Sequence, residues 1–168
     1  MNLSIIIPAF NEEESIKPLV NLIFENLDKN LEDFEIILID DGSDDKTWTE
    51  IVKISNKFEN IVSIKLLENY GKSDALDAGF KVCKGNYVLT MDADLQDDPS
   101  EILPLYSMII KNKYDLVSGW KKKRNDPISK TIPSKFFNLV TRLFSGIKLN
   151  DFNCGIKIYR KEVINSIN

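Results

Sequence analysis

The sequence predicts an α/β fold: a mostly parallel, doubly wound sheet flanked by helices, folded as a single domain. Three observations predict it. Short apolar runs alternate with longer segments whose apolar residues recur at three- and four-residue spacing. The runs "LSIIIP", "FEIILID" and "NYVLTMD" are nearly continuously apolar, as in strands covered on both faces. The chain has 168 residues, 43% of them hydrophobic, which suffices for one core and is too few for two comfortable ones.

The elements follow in order. Leu3–Pro8 is the first strand; no basic leader or small-residue cleavage site accompanies it, so it is not a signal peptide. "EEESIKPLVNLIFENLDKN" is the first helix, with Glu13 and Glu14 at its positive end. Phe34–Asp40 is the second strand, followed by the helix "DKTWTEIVKISNKFEN", which Ser43 or Asp44 is expected to cap. Val62–Leu67 is the third strand, and Gly71 permits a tight turn into the helix "KSDALDAGFKVCKG". Asn86–Asp92 is the fourth. Asp98-Pro99-Ser100-Glu101 then has the order of a capped helix start, assigning Asp98 to structure and leaving Asp97 solvated. Tyr114–Gly119 is the fifth strand.

The last third changes character. A basic run, Lys121-Lys122-Lys123-Arg124, precedes a helical stripe containing Phe136, Phe137, Leu143 and Phe144. "GIKIYR" is a further strand, and the chain stops as another helix begins, as expected of a C-terminally truncated fragment.

Composition narrows the chemistry. The chain has no histidine, which excludes His-based acid/base catalysis and His metal sites. A net charge of −4 argues against nucleic acid as a partner. Cys83 and Cys154 match no metal spacing and read as core or loop thiols of a reducing compartment. No stretch approaches the 18 apolar residues of a membrane span.

Three strands end in polar clusters: Asn11-Glu12, Asp40-Asp41-Gly42-Ser43 and Asp92-Ala93-Asp94-Leu95-Gln96. If these strands are neighbours, the clusters converge on the sheet edge where ligands of open α/β folds bind. Asp92, Asp94 and the Gln96 amide are hard oxygen donors suited to Mg²⁺ or Mn²⁺, with positions left for diphosphate oxygens. A dinucleotide site would need a glycine-rich loop after strand one, and "PAFNEEE" has none. "GKS" at Gly71–Ser73 fails as a P-loop because position 66 is Leu. A phosphoryl-accepting receiver domain would carry its acid pair after strand one and a lysine ending strand five, and neither is present.

Taken in order, "IIIPAFNEEESI", "IILIDDGSDDKT", "ENYGKSDALDAGF" and "LTMDADLQDDP" resemble the successive motifs of family 2 glycosyltransferases, which have the GT-A fold. "LVSGWKKKRND" and "DFNCGIKIYRKEV" are similar to the subgroup of dolichyl-phosphate mannose synthases and bacterial polyprenyl-phosphate glycosyltransferases. The resemblance covers essentially the whole chain. It implies a nucleotide-sugar-binding part at 1–120 and an acceptor-side part at 121–168. Pro8, Phe10, Glu12, Ile39 and Asp41 would line the nucleoside pocket. Asp92, Ala93, Asp94 and Gln96 would hold the metal and the donor diphosphate, with Asp94 catalytic through the ion. Lys121 would lie near the donor phosphates, and Asp151 would be a catalytic carboxylate on the acceptor side. Read from the residues alone, Lys72 either approaches the donor phosphates or is a solvent-facing lysine on the rim. Phe10 replaces the usual tyrosine and Lys121 the usual arginine, so one hydroxyl and one bidentate fork are missing.

The implied activity is inverting transfer of a sugar from a nucleoside-diphosphate sugar, dependent on Mg²⁺ or Mn²⁺, to a polyprenyl phosphate. It would take place at the inner, cytoplasmic face of the membrane. A saccharide hydroxyl is the alternative acceptor, and a non-catalytic nucleotide-sugar-binding module the alternative of another class.

Overall fold

Side chains alternate across a strand, and both sets are apolar in β1 (Leu3–Ala9) and β2 (Phe34–Asp40). The computed structural model describes residues 1–27, 31, 33–120 and 154–167, and buries these two strands under helices on both faces. They are joined by β3 (Ile61–Lys65), β4 (Tyr87–Thr90), β5 (Leu116–Ser118) and β6 (Lys157–Arg160) in one sheet of order β3-β2-β1-β4-β6-β5. β1 pairs in parallel with both β2 and β4, and β2 in parallel with β3. β6 runs antiparallel between β4 and β5. The sheet is therefore mostly parallel, as expected, with one reversed strand.

The helices are α1 (Ile16–Leu27), α2 (Thr47–Ser55), α3 (Lys72–Val82), α4 (Ile102–Asn112) and α5 (Lys161–Ile167). Leu3, Ile5, Ile7, Phe34, Ile36 and Leu38 face α1, α2 and α4 in the larger core. Ile6, Ile37, Ile39 and Val88 face the other way, with Ala75 of α3 and Ile164 of α5. Polar groups on that second face are paired. Ser4 donates to Glu35 at 2.6 Å, and the Lys84 amide donates to the same carboxylate. Lys161 closes the C-terminal end of α3 by donating to the carbonyls of Phe80 and Cys83. None of the described helices is long and apolar enough to cross a membrane.

Two local expectations are corrected. The amide of Thr47, the first residue of α2, is taken by Asp45 at 2.9 Å, not by Ser43 or Asp44. Those two instead bind the β1–α1 loop: Ser43 Oγ accepts from the Asn11 amide, and the Asp44 amide donates to Asn11 Oδ1. Asp97 is buried at 3% exposure, and its Oδ2 accepts the Asp92 amide at 3.4 Å. Leu95, at φ 60°, turns the chain inward there, so the side chain after Gln96 points into the protein. Asp98 caps as expected, accepting the Ser100 amide at 2.9 Å.

Candidate active site

Because β1 connects to β2 on one side while β4, reached from β3 through α3, pairs in parallel on its other side, the strand order reverses at β1 and a crevice opens beyond the strand ends. A cleft of about 320 Å³ occupies that position. Pro8, Ala9, Phe10 and Glu12 line it from the end of β1, and Asp41 from the end of β2. Asn69, Gly71 and Lys72 close it from the β3–α3 loop, and Asp92, Ala93 and Asp94 from the end of β4. The three polar clusters do converge.

The loops around the cleft are tied to one another. The Glu12 amide donates to Thr47 Oγ1 at 2.7 Å, the Glu13 amide to Asp45, and the Lys46 amide back to Glu13. Burial works to raise the Asp45 pKa, but hydrogen bonds from the Thr47 hydroxyl and amide and the Glu13 amide outweigh it, and the carboxyl lies below its ordinary value. Asp41, only 4% exposed, accepts the amides of Tyr70 at 3.0 Å and Gly71 at 2.9 Å. Gly42 beside it, at φ +68°, brings its α-carbon so close to the loop that a Cβ would lie 2.3 Å from the Glu68 carbonyl carbon. Asp41 and Gly42 thus set the loop that carries Asn69, Gly71 and Lys72. Gly71 adopts φ +96° in open space, so its requirement is conformational, as the sequence predicts.

Lys72 donates to Asp92 Oδ1, and Asp94 Oδ1 accepts the Gln96 amide at 3.0 Å across the Leu95 turn. Among the described residues, no three acids, cysteines or histidines are grouped to hold a metal by themselves. Asp92 and Asp94 nevertheless fit a hard divalent ion. Both are carboxylates lining one cleft, and Asp92 has already drawn an ammonium group onto one oxygen. Such an ion would rely on ligand oxygens to complete its shell.

Most expected site residues meet here: Pro8, Phe10, Glu12, Asp41, Lys72, Asp92, Ala93 and Asp94 share the cleft. Ile39 does not. It is fully buried under α3, because odd positions of β2 face the second core. Gln96 is exposed past the Leu95 turn and is not among the residues lining the cleft. Lys121, Asp151, the basic run and the Phe136–Phe144 stripe lie outside the described residues. Ala9 and Asn69 were not anticipated. Ala9 follows in register from Pro8, whereas nothing in "LENYGK" marks Asn69 as facing the cleft.

An open α/β sheet of this order, with an acid-bearing cleft at the β1/β4 switch point, defines the GT-A class of glycosyltransferase fold. The chain belongs to glycosyl transferase family 2, whose family model matches residues 4–167. It is 35% identical to the dodecaprenyl-phosphate galacturonate synthase of Rhizobium johnstonii, covering 99% of this chain and 50% of that protein. It is 34% identical to the undecaprenyl-phosphate 4-deoxy-4-formamido-L-arabinose transferase of Aeromonas hydrophila, covering 98% and 50%. The chain thus spans about half the length of these relatives. The mannosyltransferase of Pyrobaculum calidifontis, solved with GDP-Man and Mn²⁺, shares the fold at TM-score 0.73 and 19% identity, over 99% of this chain and 46% of that one. Glucosyl-3-phosphoglycerate synthase of Mycobacterium tuberculosis, solved with UDP, does so at 0.74 and 21%, over 96% and 57%.

Proposed function

We propose that this chain is the donor-binding portion of an inverting glycosyltransferase. In this reading the enzyme moves a sugar from a nucleoside-diphosphate sugar to a polyprenyl phosphate at the inner face of the membrane. The convergence of Asp92, Asp94 and Lys72 in one cleft beside the apolar wall of Pro8 and Phe10 carries the reading. The acceptor class is supported by the two relatives, both of whose names include a polyprenyl phosphate.

Each residue has a role in that reaction. Pro8 and Phe10 offer a flat apolar surface to the nucleoside, and Glu12 and Asp41 offer acceptors for its polar edge. Asp92 and Asp94 would hold Mg²⁺ or Mn²⁺, and the ion when bound would supply positive charge against the leaving diphosphate. Lys72 adds a point charge to the same oxygens once they compete for it with Asp92. A phosphate acceptor is already an anion at neutral pH and needs cations rather than a base. Asp151 would be required as a base only for a hydroxyl acceptor, and the run from Lys121 to Arg124 would hold the lipid phosphate.

Transfer of labelled sugar tests the acceptor, using the full-length protein, an undecaprenyl phosphate in detergent and a saccharide as competitor. Label is expected in the lipid fraction. Label in the saccharide alone would refute the lipid-phosphate reading while leaving the donor site standing.

A further inference from the structure

Gly155, two residues before β6, lies against the acids of the cleft. An added Cβ would fall 2.4 Å from Asp92 Oδ2 and 2.6 Å from Asp97 Oδ2, closer than real Cβ atoms ever approach. The residue sits outside the left-handed region, so glycine is not needed there for its backbone conformation. What requires it is the space taken by the two carboxylates. Its carbonyl accepts the Thr90 hydroxyl at 3.2 Å, which fixes it to the end of β4. Asp92 is therefore bounded on three sides: Lys72 on Oδ1, the bare α-carbon of Gly155 beside Oδ2, and Asp97 on its amide.

We propose that Gly155 is a positioning residue that sets how deeply the Asp92 carboxylate sits in the cleft. The sequence reading placed "DFNCGIK" on the acceptor side. The structure puts Gly155 of that motif against the donor-side acids Asp92 and Asp97. A methyl group at 155 would displace Asp92, Asp97 or both by several tenths of an ångström. Misplacement on the order of 1 Å costs up to about 100-fold where geometry governs function.

The inference rests on the reading that Asp92 holds the divalent ion, and the test separates the two. Mn²⁺ is titrated by electron paramagnetic resonance into wild-type chain saturated with UDP or GDP, and into Gly155→Ala and Gly119→Ala. Gly119 serves as a control: its Cβ would meet Ile156 and Cys154 at 2.6 and 2.9 Å, straining the same segment without touching an acid. Gly155→Ala is expected to weaken Mn²⁺ binding at least ~10-fold, and Gly119→Ala to leave it unchanged in the folded fraction. If Gly155→Ala does not fold, adding Asp92→Ala and Asp97→Ala together removes both carboxylates the methyl would meet and should restore folding. Wild-type affinity in Gly155→Ala, equal losses in both glycine variants, or no rescue of folding by that double replacement overturns the positioning role. Absence of Mn²⁺ binding by wild type with either nucleotide overturns the metal-site reading beneath it.

Discussion

Replacing Asp41 by alanine separates a loop-holding role from a purely ligand-binding one. Its two oxygens each accept a backbone amide, from Tyr70 and Gly71, and the side chain is almost fully buried. Hydrogen bonds to a charged group contribute about 1.5–3 kcal/mol each. Tyr70 is half exposed, so water can reach part of what the carboxylate leaves behind. Taking the lower figure for each bond gives a loss of about 3 kcal/mol, or roughly 6–12 °C in Tm for a domain of this size. Asp41→Asn should recover little, because its amide group would present a donor to one of the two N–H groups. The assay is thermal unfolding without ligand, followed by nucleotide binding to the folded variant. A residue that touched only the nucleoside would leave the unliganded protein unchanged. An Asp41→Ala Tm within about 1 °C of wild type would therefore refute the loop-holding role.

Four further outcomes are expected. Lys72→Met should change stability by less than about 1 kcal/mol, since its pair with Asp92 is half exposed. The same variant should weaken nucleoside-diphosphate binding about 10- to 100-fold by calorimetry, the effect of losing one charge-assisted contact. Asp98→Ala should cost about 1 kcal/mol in urea unfolding through loss of the Ser100 cap. Its pH dependence has a definite sign. The bond from the Ser100 amide holds the Asp98 carboxyl below its unfolded value of 3.8, so the stabilisation is fully present well above that pH and disappears as pH falls through the folded value. Wild type and Asp98→Ala should accordingly converge in stability under acid.

The parts legible in the sequence are those with a local signal. Period-two and continuous apolar patterning located every strand to within two or three residues, and the Asp-Pro-Ser-Glu order located the Asp98 cap. Asp92 and Asp94 stand out in the sequence because a buried strand runs directly into two acids one residue apart, without the helix-cap order that accounts for Asp98. The place of β6 was not, because "GIKIYR" reads alike whether it pairs parallel or antiparallel, inside the sheet or at its edge. Ile39 was misplaced by one step of the strand alternation: its neighbour Asp40 ends β2, and the odd-numbered face turns toward α3. Asp97 and Gln96 exchange their expected environments for one reason, the left-handed turn at Leu95, a conformation no composition rule assigns to leucine. Gly155 could have been singled out only as a glycine next to a strand, and its contact with Asp92 is a long-range fact.

The central claim is that Asp92 and Asp94 bind a nucleoside diphosphate through a divalent ion. Thermal unfolding with UDP and with GDP, each with and without Mn²⁺, tests it most directly, with Asp94→Ala measured in parallel. Ligand at 100 times its dissociation constant adds about 2.7 kcal/mol, a shift of several degrees here. A shift with one nucleotide that requires Mn²⁺ and is lost in Asp94→Ala is predicted, together with turnover at least ~100-fold lower in that variant of the full-length enzyme. A nucleotide shift of equal size without the metal, or one retained in full by Asp94→Ala, would contradict it.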